Sequence, residues 1–281
     1  MSSRFVTFQK LLPKALLSRF VGILAASEWP WIKAAFIHIF KTAYGISLRE
    51  AERKKPADYK SFNDFFTRAL ESGARPLDGG EGVLVSPVDG FVSEFGPIEN
   101  GQLMQAKGVH YTAADLLGDE TLAADYVGGS FITLYLAPAN YHRIHAATDG
   151  TLRRTIALPG ELFSVNATTA THLPGLFATN ERLTCVYDSP QGTAAIVFVG
   201  ALIVASIETV WEEEASPYQK RASNEHSWPF KQGDEMGRFL LGSTVVMCLP
   251  PGIKFADTIK PGVAVRMGMR LGEWPVLTND A

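Results

Sequence analysis

The string Leu241-Gly242-Ser243-Thr244 places a hydroxyl directly after a glycine, at the head of an apolar run. A strained Gly-Ser peptide allows an unusual reaction: the serine oxygen attacks the preceding carbonyl and the acyl group shifts from N to O, provided a base removes the hydroxyl proton. Glycine before a hydroxyl residue is common, so the string by itself is equally a turn. Histidine oriented by a carboxylate is the usual way to supply such a base. Candidates stand upstream in Tyr141-His142-Arg143-Ile144-His145 and in Ser86-Pro87-Val88-Asp89-Gly90, giving the chain order Asp89, His145, Ser243. Each has a plainer reading, since Asp-Gly after Pro is usually only a turn and two histidines can be buried, hydrogen-bonded core residues. In a helical turn the i, i+3 spacing of His142 and His145 puts both rings on one face; in a strand they point oppositely. The helical turn after Pro138 and Asn140 is the expectation taken here. The chain has no G-x-S-x-G, H-E-x-x-H, C-x-x-C, P-loop or G-x-G-x-x-G pattern, and its histidines have no metal-ligand set around them.

These residues need a scaffold. From about residue 82 the apolar period is two, with strand-like runs at 82–85, 91–95, 131–136, 152–158, 183–187, 195–199, 202–210 and 244–249, separated by Gly, Pro, Asn or Asp. Residues 194–207 are uncharged, but they are short, β-branched and broken by Gly200, so two buried strands are expected rather than a membrane segment. Two short helices are predicted, one capped by Ser61 and one running from Thr112 to a stop at Gly118. The expected fold class is α+β: a β-rich domain of packed antiparallel sheets with short helices, preceded by a helical N-terminal segment.

That N-terminal segment differs in charge from the rest. Residues 1–55 carry ten Lys or Arg against three Glu, a net +7, which leaves −10 for the remainder of a chain whose total is −3. Leu12 to Leu24 and Ile32 to Ala43 are each apolar at i, i+3, i+4 spacing, and Trp29-Pro30-Trp31 breaks them. Arg19, Lys33 and Lys41 interrupt any span of the ~20 apolar residues a bilayer crossing needs, and no cleaved signal peptide is expected. The amphipathic pair, basic on one side with two indoles at the bend, suits an anionic bilayer surface; a helix pair packed on its own domain fits the pattern equally. Cys185 and Cys248 read as two buried thiols in a reducing compartment.

Taken together, the motifs resemble one family. FNDFFTRAL (62–70), SPVDG (86–90), YHRIH (141–145), PGELFSVN (159–166), ATNER (178–182), VGALIVASIETVW (199–211), EMGRF (235–239) and LGST (241–244) occur in this order over nearly the whole chain. The sequence closely resembles the bacterial membrane-bound phosphatidylserine decarboxylase proenzymes. The resemblance implies self-cleavage between Gly242 and Ser243, giving a β chain of residues 1–242 and an α chain of 243–281. Asp89, His145 and Ser243 would form the self-cleaving relay, and Ser243 would become a covalent pyruvoyl group, the cofactor. Phosphatidylserine would then lose CO2 through a Schiff base with that group to give phosphatidylethanolamine, with His142 as proton donor and Ser164 and Asn166 near the lipid phosphate. It also implies residues 1–60 as a membrane-docking segment and 61–281 as the decarboxylase domain. The expected setting is the cytoplasmic side of the cell membrane, as a peripheral homodimer, with no metal and no nucleic-acid partner. An ordinary serine hydrolase and a non-catalytic lipid-binding relative are the alternatives that an uncut chain would favour.

Overall fold

A computed structural model describes residues 6–7, 9, 13–202, 207–211, 217–240 and 243–275, without the side chains of 15 and 16. Leu241 and Gly242 lie outside the described residues, so the Gly242 half of the expected cleavage site does too.

The two amphipathic segments form helices Lys14–Ala26 and Pro30–Tyr44, with Pro30 opening the second and Gly45, at φ 63°, closing it. No single helix among the described residues is long and apolar enough to cross a membrane; the pair is bent by 112°. Each helix buries one face only. Ala25 and Ile37 enter a core shared with Ile46, Leu48, Tyr59, Phe62, Phe65 and Phe66. Phe36 and Phe40 meet the Phe62 ring at centroid distances of 5.8 and 5.0 Å, and Phe40 also meets Phe66 at 5.7 Å. Phe20, Ile23, Trp29, Trp31 and Ile39 stay exposed, the indoles at 64% and 68%. The packed-pair reading therefore holds for one face, and the other face leaves apolar side chains exposed.

Ser61 caps the helix Phe62–Phe66, its Oγ accepting from the Asp64 N–H at 3.2 Å. Thr112 does the same for Ala113–Leu117, which Gly118 ends in the left-handed conformation. An eight-stranded antiparallel sheet dominates the body, in the order 222–230, 150–158, 182–189, 192–199, 243–249, 130–136, 90–97, 264–265. Two three-stranded sheets flank it: 207–209, 235–239 and 143–145 make one, and 83–85, 270–273 and 254–255 the other. The strand Ser243–Leu249 is buried along its whole length because it has a partner on each side and a core on each face. Val245, Met247 and Leu249 enter one core; Val246 and Cys248 enter the other, which contains Phe66.

Candidate active site

The register of three neighbouring strands brings the candidate residues to one end of the large sheet. Ser243 pairs with Leu136, and Phe91 pairs with Tyr135, so Asp89 and Ser243 flank the exit of the strand Ser130–Leu136. At about 4.8 Å per strand spacing, roughly 10 Å of backbone separates them. Gly90 is required here: a Cβ on it would come within 2.5 Å of the Tyr135 carbonyl oxygen. The Asp-Gly pair thus enters a strand at close quarters and is not a simple turn.

The chain leaving Leu136 loops back and delivers Tyr141 and the two histidines. Here the sequence expectation needs correction. Residues Arg143–His145 form a strand, paired with Glu235–Phe239, and not a helical turn. The ladder hydrogen bonds to the strand that leads into Ser243 outweigh the local turn signal of Pro138 and Asn140. In consequence the two imidazoles do not share a face.

His142 is fully buried and lies on the Phe66 ring at 4.0 Å, with 27° between planes. Its Nε2 stands 3.1 Å from the Ala137 carbonyl oxygen. A carbonyl only accepts, so Nε2 carries the proton and Nδ1 keeps a free lone pair. That Nδ1 has no hydrogen-bond partner among the described residues. Burial, with the Arg68 charge adding to it, holds the His142 pKa down at about 3. His145 is 8% exposed. Its Nδ1 donates to the Gly233 carbonyl at 2.8 Å, and its Nε2 accepts from the Tyr141 hydroxyl at 2.9 Å. Burial lowers its pKa, against the opposing pull of Gly233, Glu235 and Asp89.

Asp89 and His145 are not hydrogen-bonded to each other. The Asp89 carboxylate is taken by Arg75, whose Nε sits 2.8 Å from Oδ1, and by the Met267 N–H at 2.9 Å. Arg75 also pairs with Glu50 at 2.9 Å, and the two carboxylates outweigh burial to raise its pKa. Asp89 therefore reaches His145 as a charge and not as a hydrogen-bond partner. Ser243 is fully buried, and its Oγ has no partner among the described residues. By alternation with Val245 and Met247, its side chain belongs to the core containing Val88, Ile144 and Phe239, opposite the Phe66 core on which His142 stacks.

The remaining expected positions are Ser164 and Asn166. Asn166 Oδ1 caps the helix Ala167–His172 by accepting from the Thr169 N–H at 2.9 Å. The Ser164 N–H donates to Gln9 Oε1 at 2.8 Å, and Lys14 Nζ lies 3.8 Å above the Phe163 ring, so the N-terminal segment rests on this loop. Residues to which the sequence reasoning gave no role are Arg75, Tyr141, Phe66 and Arg68; Tyr141 lay inside the histidine motif, and Phe66 and Arg68 inside FNDFFTRAL.

The two depressed histidines set an acid limit on stability. Above pH 6.5 both folded and unfolded His142 are neutral. Below it the unfolded chain takes up a proton that the folded chain refuses until about pH 3, so stability falls through that window. Between pH 7 and 5 the loss from His142 is about 2 kcal/mol. Urea midpoints at the two pH values should show it, and His142→Asn should flatten the slope. An unchanged slope in that variant would place the titration elsewhere.

Comparison with known proteins adds to this geometry. The family described as phosphatidylserine decarboxylase matches residues 62–273, and one described as PSD matches residues 4–45. The phosphatidylserine decarboxylase proenzyme of Alcanivorax borkumensis is 50% identical, covering 98% of this chain and 97% of its own length. Those of Psychrobacter cryohalolentis and a Polaromonas species are 48% and 47% identical, covering 95% and 98% of this chain and 98% and 100% of theirs.

Proposed function

This chain belongs to the phosphatidylserine decarboxylase family, which makes it a lyase, and on that premise we propose that it matures by cutting itself before Ser243 and then releases CO2 from phosphatidylserine to leave phosphatidylethanolamine. The observation that carries the reading is Ser243 itself. Its hydroxyl is fully buried, without a partner among the described residues, at the head of a strand pinned on both sides. A buried hydroxyl left unpaired costs ~1–3 kcal/mol, which fits a group whose task is chemical. The same position suits the pyruvoyl group expected from it. A pyruvoyl group supplies an electrophilic carbonyl and a sink for the electrons left when CO2 departs.

The chain's own residues have definable tasks. His145 presents Nε2 as its lone-pair nitrogen, a tautomer fixed by the Gly233 carbonyl. At rest that lone pair accepts from the Tyr141 hydroxyl, which must yield it for His145 to act as the base. Asp89 stabilises the imidazolium through space, while Arg75 and Met267 hold its carboxylate in place. His142 faces the site from the Phe66 side and serves the substrate α-carbon after cleavage. It must first gain a proton there, since it rests neutral. Ser164 and Asn166 contribute through the loop they shape on the N-terminal segment. Intact mass of the purified protein tests the reading: two chains, 1–242 and 243–281, the smaller blocked at its N-terminus, are expected. A single unmodified chain that still releases CO2 would overturn it.

Residues 1–60 act as the docking segment and 61–281 as the decarboxylase domain, on the cytoplasmic face of an anionic membrane, as a homodimer. The exposed Phe20, Ile23, Trp29, Trp31 and Ile39 support docking, as does the +7 balance of residues 1–55. Deleting the segment is a poor test, because Ala25 and Ile37 belong to the core over Phe62 and Phe66. Trp29→Ser with Trp31→Ser removes only exposed surface. Each indole is worth ~1.5 kcal/mol or more in the interface, so partition onto phosphatidylglycerol vesicles should fall tenfold or more. Self-cleavage should persist. Equal vesicle sedimentation before and after the change would refute the docking face.

A further inference from the structure

Arg68 is 5% exposed, and no carboxylate pairs with it among the described residues. Nη2 donates to the Ala139 and Asn140 carbonyls at 3.0 and 3.3 Å; Nε and Nη1 are buried with no partner among the described residues. The other buried arginines are not left this way. Arg75 is saturated by Asp89 and Glu50, and Arg182 spends all three nitrogens on the carbonyls of Leu116, Asn180 and Asp115. A buried cation lacking both a counter-charge and a full set of acceptors is strongly destabilising unless something else fills the gap.

What fills it can be read from the surroundings. Arg68 lies in the wall of a cavity of about 240 Å³ that also takes in Tyr141, Ala139, Asn140 and the Arg75–Asp89 pair. The other charges there cancel, because Arg75 sits between Asp89 and Glu50 and Arg266 pairs with Glu50 as well, at 3.2 Å. Arg68 is the uncompensated one. Gly45 and Ser47, both exposed, form part of the rim where the chain leaves the second hairpin helix, beside the surface assigned above to the membrane. His142 is close enough to feel the Arg68 charge, and Phe66, two residues before Arg68, carries the His142 ring.

We propose that Arg68 binds the phosphodiester oxyanion of the serine phospholipid through its guanidinium, the cavity being the headgroup's seat. This rests on the decarboxylase reading above. The substrate offers two anions, a phosphodiester and a carboxylate. A cation on the carboxylate would stabilise a charge that the reaction must discharge as CO2, raising the barrier. The phosphodiester keeps its charge from start to finish, so binding there anchors ground and transition states alike. Guanidinium suits phosphate oxygens better than an ammonium does.

The test uses the full chain as purified, labelled with nitrogen-15, with the Arg68 Nε–Hε resonance assigned by its loss in Arg68→Lys. Dimethyl phosphate, a phosphodiester without carboxylate, should move that resonance saturably, and acetate at equal ionic strength should move it far less. No movement with either anion overturns the proposal, and an acetate response as large overturns its choice of anion. In assays on phosphatidylserine micelles, Arg68→Gln should raise KM about 10–100-fold with kcat within threefold, and Arg68→Lys should fall between. A drop in kcat at constant KM would mean that Arg68 only holds the Ala139–Asn140 loop. Should the Gln variant not fold, the wild-type titration decides alone. Should the wild-type protein release no CO2 from phosphatidylserine, the decarboxylase reading fails while the titration still answers for Arg68.

Discussion

Replacing Ser243 by alanine should leave one chain of 281 residues, where the proposed maturation would yield residues 1–242 and 243–281 as separate chains. The substitution is mild for the fold. Ser243 lies in the buried strand Ser243–Leu249, its backbone paired with Leu136, and alanine keeps that register while removing one oxygen that has no partner among the described residues. Stability should change little, and removing an orphaned polar atom from an apolar core can even increase it. The chemistry has no such tolerance. Without Oγ no acyl shift can start, no new N-terminus forms, and the carbonyl that would hold the substrate is never made. CO2 release from phosphatidylserine should fall by ~10⁴ or more, the scale of losing one member of a nucleophile–base pair. Denaturing mass analysis reads the cut and a CO2 assay reads the rate. A Ser243→Ala protein that still cuts would remove Ser243 from the mechanism.

Much of this arrangement was legible in the residues. Capping signals were reliable where a hydroxyl side chain competes locally for a backbone N–H, as at Ser61 and Thr112, because that competition needs no tertiary information. Apolar runs of period two found the inner strands of the large sheet. They missed Ala222–Phe230, whose residues are mostly exposed edge-strand positions and so carry no burial pattern. The site was legible in its residue types but not in its pairings. Nothing near Asp89 announces that Arg75, fourteen positions earlier across a turn, takes its carboxylate. The spacing of His142 and His145 suggested a shared face because Pro138 and Asn140 favour a turn. Pairing with Glu235–Phe239, some 90 residues downstream, made the segment a strand instead. A ladder partner that distant leaves no trace in a local window. The Asn166 cap shows the reverse case, where a residue assigned to substrate by resemblance also has an ordinary structural job.

His145→Ala should block maturation, whereas His142→Ala should cut itself and then decarboxylate poorly. The first half follows from the tautomer. His145 donates from Nδ1 to Gly233 and keeps Nε2 as acceptor, held by the Tyr141 hydroxyl, so it is a base with its lone pair already oriented. Asp89 adds a charge that favours the protonated ring. Losing a positioned base costs ~10²–10⁴ in rate, which turns self-cleavage from complete to barely detectable on a fixed timescale. Tyr141→Phe separates orientation from basicity, keeping the imidazole while freeing its Nε2, and should slow cleavage less than His145→Ala does. The second half follows from the sheet. Ser243's side chain and the Phe66-stacked His142 belong to opposite cores, so His142 is poorly placed for the Ser243 hydroxyl. It is suited to a substrate arriving from the hairpin side, where Phe40, Phe66 and His142 stand in contact one after another. A pKa near 3 leaves its Nδ1 unprotonated, so the resting ring has no imidazolium proton to give. An anion neutralising Arg68 would remove one of the two effects that hold it there. The decarboxylation pH profile of the mature enzyme should therefore lose its His142-dependent limb in His142→Ala, while the cleavage profile stays as it was. If His142→Ala remains uncut and His145→Ala matures, the free lone pair at Nδ1 is the maturation base and the two roles exchange.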